Sequence, residues 1–242
     1  MIGAIGSEVL RARSGLSTLA VIVLAVFVPL IILTSDDTLG HITTMDATTA
    51  TQIALAPIGW SFVVAAFTGA FGVTREFYYV SMNRTVVELG FRRVFVAKAL
   101  AAVTVGLLLT TGVVAVWSAV VAIVLPLHGI APVPSAGAAA TLVGALPGAL
   151  LGSVMGASVG WVVGNYYVAA AVVLAGPLAL ELALLGTAPE VARFSPGLSL
   201  AGLASPQNHP DLLPAAVAGP IAVVWTVALA AAAWAIGRRR FA

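Results

Sequence analysis

The chain has 242 residues, 61% of them apolar and only 8% charged, with a net charge of +2 and no cysteine. That balance excludes an ordinary water-soluble domain and makes lipid the main solvent. The missing cysteines exclude disulfides, thiolate metal sites and cysteine nucleophiles together.

A membrane span needs about 20 apolar residues to cross roughly 30 Å of hydrocarbon. The first run that qualifies is 16–34, preceded by Arg11 and Arg13. It is too long for the apolar core of a signal peptide and no small-x-small site ends it, so it is expected as a retained first span. A polar, Thr-rich connection over 35–52 holds Asp36, Asp37 and Asp46, and the second span follows at 53–74. Residues 75–98 form the one substantial hydrophilic segment between spans. The third span is expected at 99–125, followed by a short loop with His128 between Pro126 and Pro132. The fourth span covers 137–163, and the turn at Asn165 and Tyr166 is tight enough to make an antiparallel hairpin with the fifth, 167–186. Prolines 189, 196, 206, 210 and 214 break the next segment around an apolar patch at 198–203. It is too short to cross, so short interfacial or re-entrant helices are expected there. The sixth span is 215–236, ahead of Arg238, Arg239 and Arg240.

Charge orients these spans. Of the eleven basic residues, ten fall on one side: Arg11, Arg13, Arg75, Arg84, Arg92, Arg93, Lys98 and the three terminal arginines. Only Arg193 falls on the other. Lys and Arg near span ends are retained on the cytoplasmic face. The expectation is one all-α transmembrane domain over residues 1–242, six spans with both termini cytoplasmic, in a plasma membrane of the bacterial inner-membrane kind. The basic surplus serves orientation and anionic lipid, so no nucleic-acid partner is expected.

The fourth span has the most regular pattern in the chain. Gly144, Gly148, Gly152, Gly156, Gly160 and Gly164 recur every four residues. At 3.6 residues per turn they form a slowly drifting groove that lets another helix approach closely. Helix packing within one subunit is the plainer reading, and a gating or subunit-interface role is the alternative.

Catalytic patterns are missing. There is no phosphate-binding Gly-x-x-x-x-Gly-Lys-[Ser/Thr] loop, and the sole lysine, Lys98, lacks that glycine context. The three histidines lie in loops, which leaves an intramembrane metalloprotease without ligands. Ser153 and Ser158 have no base at membrane level and are expected to bond back to their own helix. The chain is therefore not expected to be an enzyme or to hold a cofactor. Glu181 is the one acidic residue placed within a span, about 14 residues and roughly 21 Å from its inner end. A structural bond to the outer hairpin, with Arg193 as partner, stands beside substrate contact as its role.

In the hydrophilic segment, Arg84 and Glu88 are four apart and can pair on a helix that Gly90 would end. The stretch Glu76-Phe77-Tyr78-Tyr79 through Arg92-Arg93-Val94-Phe95-Val96-Ala97-Lys98-Ala99 resembles the cytoplasmic segment of type-2 ABC exporter permeases. In that family Glu-aromatic precedes a Gly-Thr pair, a helix, then Pro-Arg-Arg and Ala-Lys. Ser7-Glu8-Val9-Leu10 resembles its entry helix, Glu181 with Pro189 to Pro196 its fifth-span exit and outer hairpin, and the terminal arginines its basic end. Val80-Ser81 stands where Gly-Thr is usual, and Gly90 where Pro is usual.

The resemblance implies that residues 76–93 form a coupling helix docking on a separate ATPase subunit, which holds ATP and Mg. The implied contacts are Glu76, Phe77, Tyr78, Tyr79, Arg84, Glu88, Arg92 and Arg93. It further implies a second permease subunit, identical or related, and export of an apolar or amphipathic substrate such as a drug, lipid-like molecule or antimicrobial peptide. The rival expectation is an ATP-independent secondary transporter or a membrane assembly factor, for which Pro29, Pro57, Pro147 and Pro177 offer places to break spans.

Overall fold

The computed structural model describes residues 42–205 and 209–241. The expected first span, the entry segment with Glu8, and Pro29 lie outside the described residues. Every long element is a helix. Among the described residues, five stretches are long and apolar enough to cross a membrane: Ala47–Tyr78, Phe91–Leu127, Ala136–Val163, Tyr166–Thr187 and Ala215–Arg240. The chain is thus a multi-pass membrane protein, and these helices contain the second to sixth expected spans.

Local chemistry sets their starts. The Asp46 carboxylate accepts from the Thr49 N–H at 3.0 Å to begin α1 (Ala47–Leu55). Pro57 then interrupts the α ladder, giving a 3₁₀ turn over Ala56–Trp60 before α2 (Ser61–Tyr78). The Ala54 carbonyl beside this break accepts from the Trp117 indole at 2.8 Å. A short α3 (Met82–Leu89) leads through Gly90 into α4 (Phe91–Leu127). Ser135 caps α5 (Ala136–Val163), and Asn165 caps α6 (Tyr166–Ala175). The fifth span continues as a π-helical turn, Gly176–Glu181, and α7 (Leu182–Thr187). Two short helices, α8 (Pro189–Ala192) and α9 (Pro196–Ala204), precede α10 (Ala215–Arg240).

The α1–α2 span is the central pole, with 89% of its apolar window buried against 17% for α4, the fifth span and α10. Its strongest partner is α5. A Cβ built on Gly152 meets the Phe62 backbone, one on Gly156 the Ala66 backbone, and one on Gly160 the Ala70 backbone. Both residue numbers rise together in steps of four, so α2 and α5 run parallel, as the second and fourth spans of an alternating bundle must.

One expectation changes here. At 37 residues, α4 is about 55 Å long, well beyond a bilayer core, so residues 91–98 belong to its helix and not to a loop. The proline-rich segment packs into the bundle. Seven of the nine residues of α9 are buried. Gly144 of α5 abuts Leu203 and Ala204, and Gly202 packs against Leu213 and Ala218.

Candidate functional site

The arginine-rich end gathers the last turn of α2, all of α3, the start of α4 and the C-termini of α5 and α10. Its floor is aromatic. Phe77, Phe91 and Phe95 surround Trp161 with ring centroids 5.5–5.9 Å away, and Phe241 closes the group at 6.2 Å. The Arg240 guanidinium lies 5.2 Å from the Phe77 ring. It also donates to the Trp161 and Val162 carbonyls at 3.4 Å, where α5 ends in the left-handed Gly164 (φ 63°). That contact joins a cation to carbonyls at the negative end of the helix dipole.

Helix α3 rests on this floor. Met82 and Val86, four apart, are buried, while Asn83, Arg84, Val87 and Glu88 face outward. The Arg84 Nε donates to Glu88 Oε1 at 2.8 Å, and this bond holds the guanidinium pKa above its ordinary value. Around the pair are exposed apolar side chains: Tyr78, Tyr79, Val80, Val87 and Leu89. Such a patch, rimmed by charge, is the usual mark of an interaction surface. The helix is entered through Val80 at φ 57° and left through Gly90 at φ 81°. A β-branched residue with positive φ is a strained backbone position that glycine would relieve.

The expected docking residues divide. Tyr78, Tyr79, Arg84, Glu88, Arg92 and Arg93 are exposed and lie on or beside this patch. Glu76 and Phe77 do not. Phe77 belongs to the aromatic floor, and Glu76 is 6% exposed, with its carboxylate 2.7 Å from Lys98 Nζ. Lys98, absent from the expected set, also donates to the Gly72 carbonyl at 3.1 Å. The signal for it was there: one lysine inside an apolar run demands a nearby anion.

The glycine groove is filled from within. α2 occupies it at Gly152, Gly156 and Gly160, α9 at Gly144, and Gly148 has looser contacts with Ala204 and Phe62. Gly164 instead ends the helix beneath Arg240. Ser153 and Ser158 each donate to the carbonyl four residues back at 2.7 Å.

At the opposite end Glu181 does bond to the proline-rich hairpin, but through neutral groups. Its Oε2 accepts from Ser195 Oγ at 2.6 Å and Leu198 N at 2.8 Å, and its Oε1 from Gly197 N at 3.2 Å. The carboxylate therefore caps the N-terminus of α9 and meets its dipole. A Cβ on Gly197 would collide with Glu181 and Pro177, so the approach requires glycine. Arg193, the expected partner, pairs with Glu190 three residues away. Glu190 is well exposed and Arg193 partly so, which costs less desolvation than bringing Arg193 to a span.

Between α1, α4 and α5 near this end is an open groove of about 260 Å³, lined mainly by apolar groups such as Leu55, Val121 and Leu142. Among the described residues no three His, Asp or Glu side chains gather to hold a metal ion. The arrangement offers an exposed apolar face with charges at one end, a capped buried helix at the other and a close-packed glycine interface between them. No family model, curated relative or solved structure matches the chain.

Proposed function

We propose that this chain is the transmembrane permease subunit of an ATP-driven exporter of the type-2 ABC class. In this reading the arginine-rich end is cytoplasmic, and the face of α3 docks on an ATPase subunit that binds ATP and Mg. A second permease subunit, the same chain or a related one, completes the path across the plasma membrane. The cargo is apolar or amphipathic, a drug, lipid-like molecule or antimicrobial peptide, because the spans bring few charges to meet anything else. Nucleotide binding would draw the ATPases together and bias the spans between two arrangements.

The observation that carries this reading is a short amphipathic helix, seated by Met82 and Val86 and displaying Arg84, Val87 and Glu88, between two spans at the basic end. The positive φ at Val80 adds support, since the resembled family carries glycine there.

The test is purification of the tagged protein from its native cell. An ATP-binding subunit should come with it, and Arg84→Glu or Val87→Arg should release that subunit while leaving the permease folded. A permease that purifies alone, or variants that retain both association and transport, would sink the assignment. Reporters after Ala242 and near Asn83 should read cytoplasmic, and one near Asp46 external. One observation favours an ATP-independent carrier: the fifth span is irregular at a carboxylate. Against it, the donors that Glu181 meets are one hydroxyl and two backbone N–H groups of the same chain.

A further inference from the structure

Glu76 is where three helices meet. Its side chain holds Lys98 of α4 at 2.7 Å. Its backbone carbonyl accepts the Ser81 N–H at 3.0 Å and the Ser81 hydroxyl at 3.4 Å, which fixes the turn into α3. Lys98 in turn reaches the Gly72 carbonyl, so its ammonium spans one full turn of α2. The side chains of this pair are 8% and 4% exposed. An ion pair so enclosed is poorly screened and strongly directional.

The pair lies at the base of the connector, with Glu76 two residues from the end of α2 and Lys98 seven residues after the start of α4. Without a tie there, the ends of α2 and α4 would be free to part, and α3, bonded to the Glu76 carbonyl at its start and seated by Met82 and Val86, would follow only one of them. With it, the ends of α2 and α4 form one stem.

We infer that Lys98 is the positioning residue of the connector: its pairing with Glu76 makes α2, α3 and α4 a single lever, so a displacement of α3 reaches the second and third spans together. This mechanical claim rests on contacts within the chain and holds whatever partner docks on α3.

The chain has no cysteine, so spin labels can be placed without background at Val87→Cys on α3 and Tyr167→Cys on α6, both well exposed. The decisive variant is Glu76→Met with Lys98→Met, which removes both charges without stranding either in the interior. The expected result is an unchanged melting transition together with a Val87–Tyr167 distance distribution that is roughly doubled in width. A distribution as narrow as in the parent would overturn the inference. Should the double variant fail to fold, the same labels are read in Glu76→Gln with Lys98→Gln, which removes both charges and keeps hydrogen-bonding groups at both positions. There too broadening is expected, and an unchanged width overturns the claim. The measurement uses no ATPase, so a permease that purifies without one would defeat the proposed function and leave the lever standing.

Discussion

The two ends of the molecule each hold a glutamate against another helix, buried at Glu76 and half-buried at Glu181, and they satisfy it in opposite ways. At the arginine-rich end Glu76 faces a cation on another span. At the opposite end Glu181 meets a hydroxyl and two backbone N–H groups at the start of α9. The first arrangement ties two helices by charge and needs both partners to stay tolerable in a dry interior. The second ties a helix by its own dipole and unpaired amides, with no counter-charge. Identical side chains therefore serve one join between two helices by charge and another by a helix N-terminus.

The sharpest way to break this contrast is Lys98→Met, which strands the Glu76 carboxylate. A loss of about 3–5 kcal/mol is expected, read as a lowered melting transition in detergent, with Glu76→Met returning the double variant to the parent's transition. If the single variant is as stable as its parent, the pair is not buried as described.

Between the two ends, Gly156→Leu tests whether the middle depends on backbone contact and not on charge. It should cost about 1–3 kcal/mol or prevent assembly, whereas Gly112→Leu, with open space at its Cβ, should be neutral. Gly148, whose nearest neighbour is 3.7 Å away, is expected to be the most tolerant of the rungs that face another helix.

Glu181→Ala removes the acceptor for three donors and should cost about 2–3 kcal/mol, less than Lys98→Met because no charge is stranded. Glu181→Gln should fall between. One oxygen can still serve Ser195 and Leu198, but an amide N–H would face the Gly197 N–H. Equal stability of Gln and parent would show that α9 is held by packing alone.

The smallest effect is expected at Asp46. Thr49, through its side chain and its backbone N–H, holds this carboxyl below its ordinary value of 3.8. The cap is therefore fully present above that value and is lost as pH falls through the lower folded one. Hydrogen exchange in the first turn of α1 should rise there, with the rest of the bundle unaffected.

What the sequence made legible followed from length and periodicity. Twenty apolar residues announce a span, and glycines every four residues announce a close helix contact. Span ends were less legible because helices continue through polar residues once in water or among aromatic rings, as Arg92 and Arg93 do at the start of α4. The occupant of the glycine groove was hidden, since Phe62, Ala66 and Ala70 offer backbone and carry no matching motif. Glu181 suggested a charged partner because backbone N–H groups are invisible in a sequence. Glu76 looked like part of an exposed segment because its partner lies 22 residues away, across a helix and two turns.

The π-helical turn at Gly176–Glu181 can be understood as a correction of phase. In an α-helix, positions four apart drift by about 40°, so a row starting at Ala169 and Val173 would wander off its face before reaching residue 181. One wider turn takes back much of that drift. Ala169 and Val173 can then lie against α2 while Pro177 and Glu181 still confront Gly197. Closing this turn to α geometry with the same number of residues would rotate everything beyond it by about 100°. The fifth span would stay apolar and long enough to cross, yet its carboxylate would point at lipid and α9 would lose its cap. For this helix one turn of different pitch, more than the identity of its residues, keeps the two halves of the protein in step.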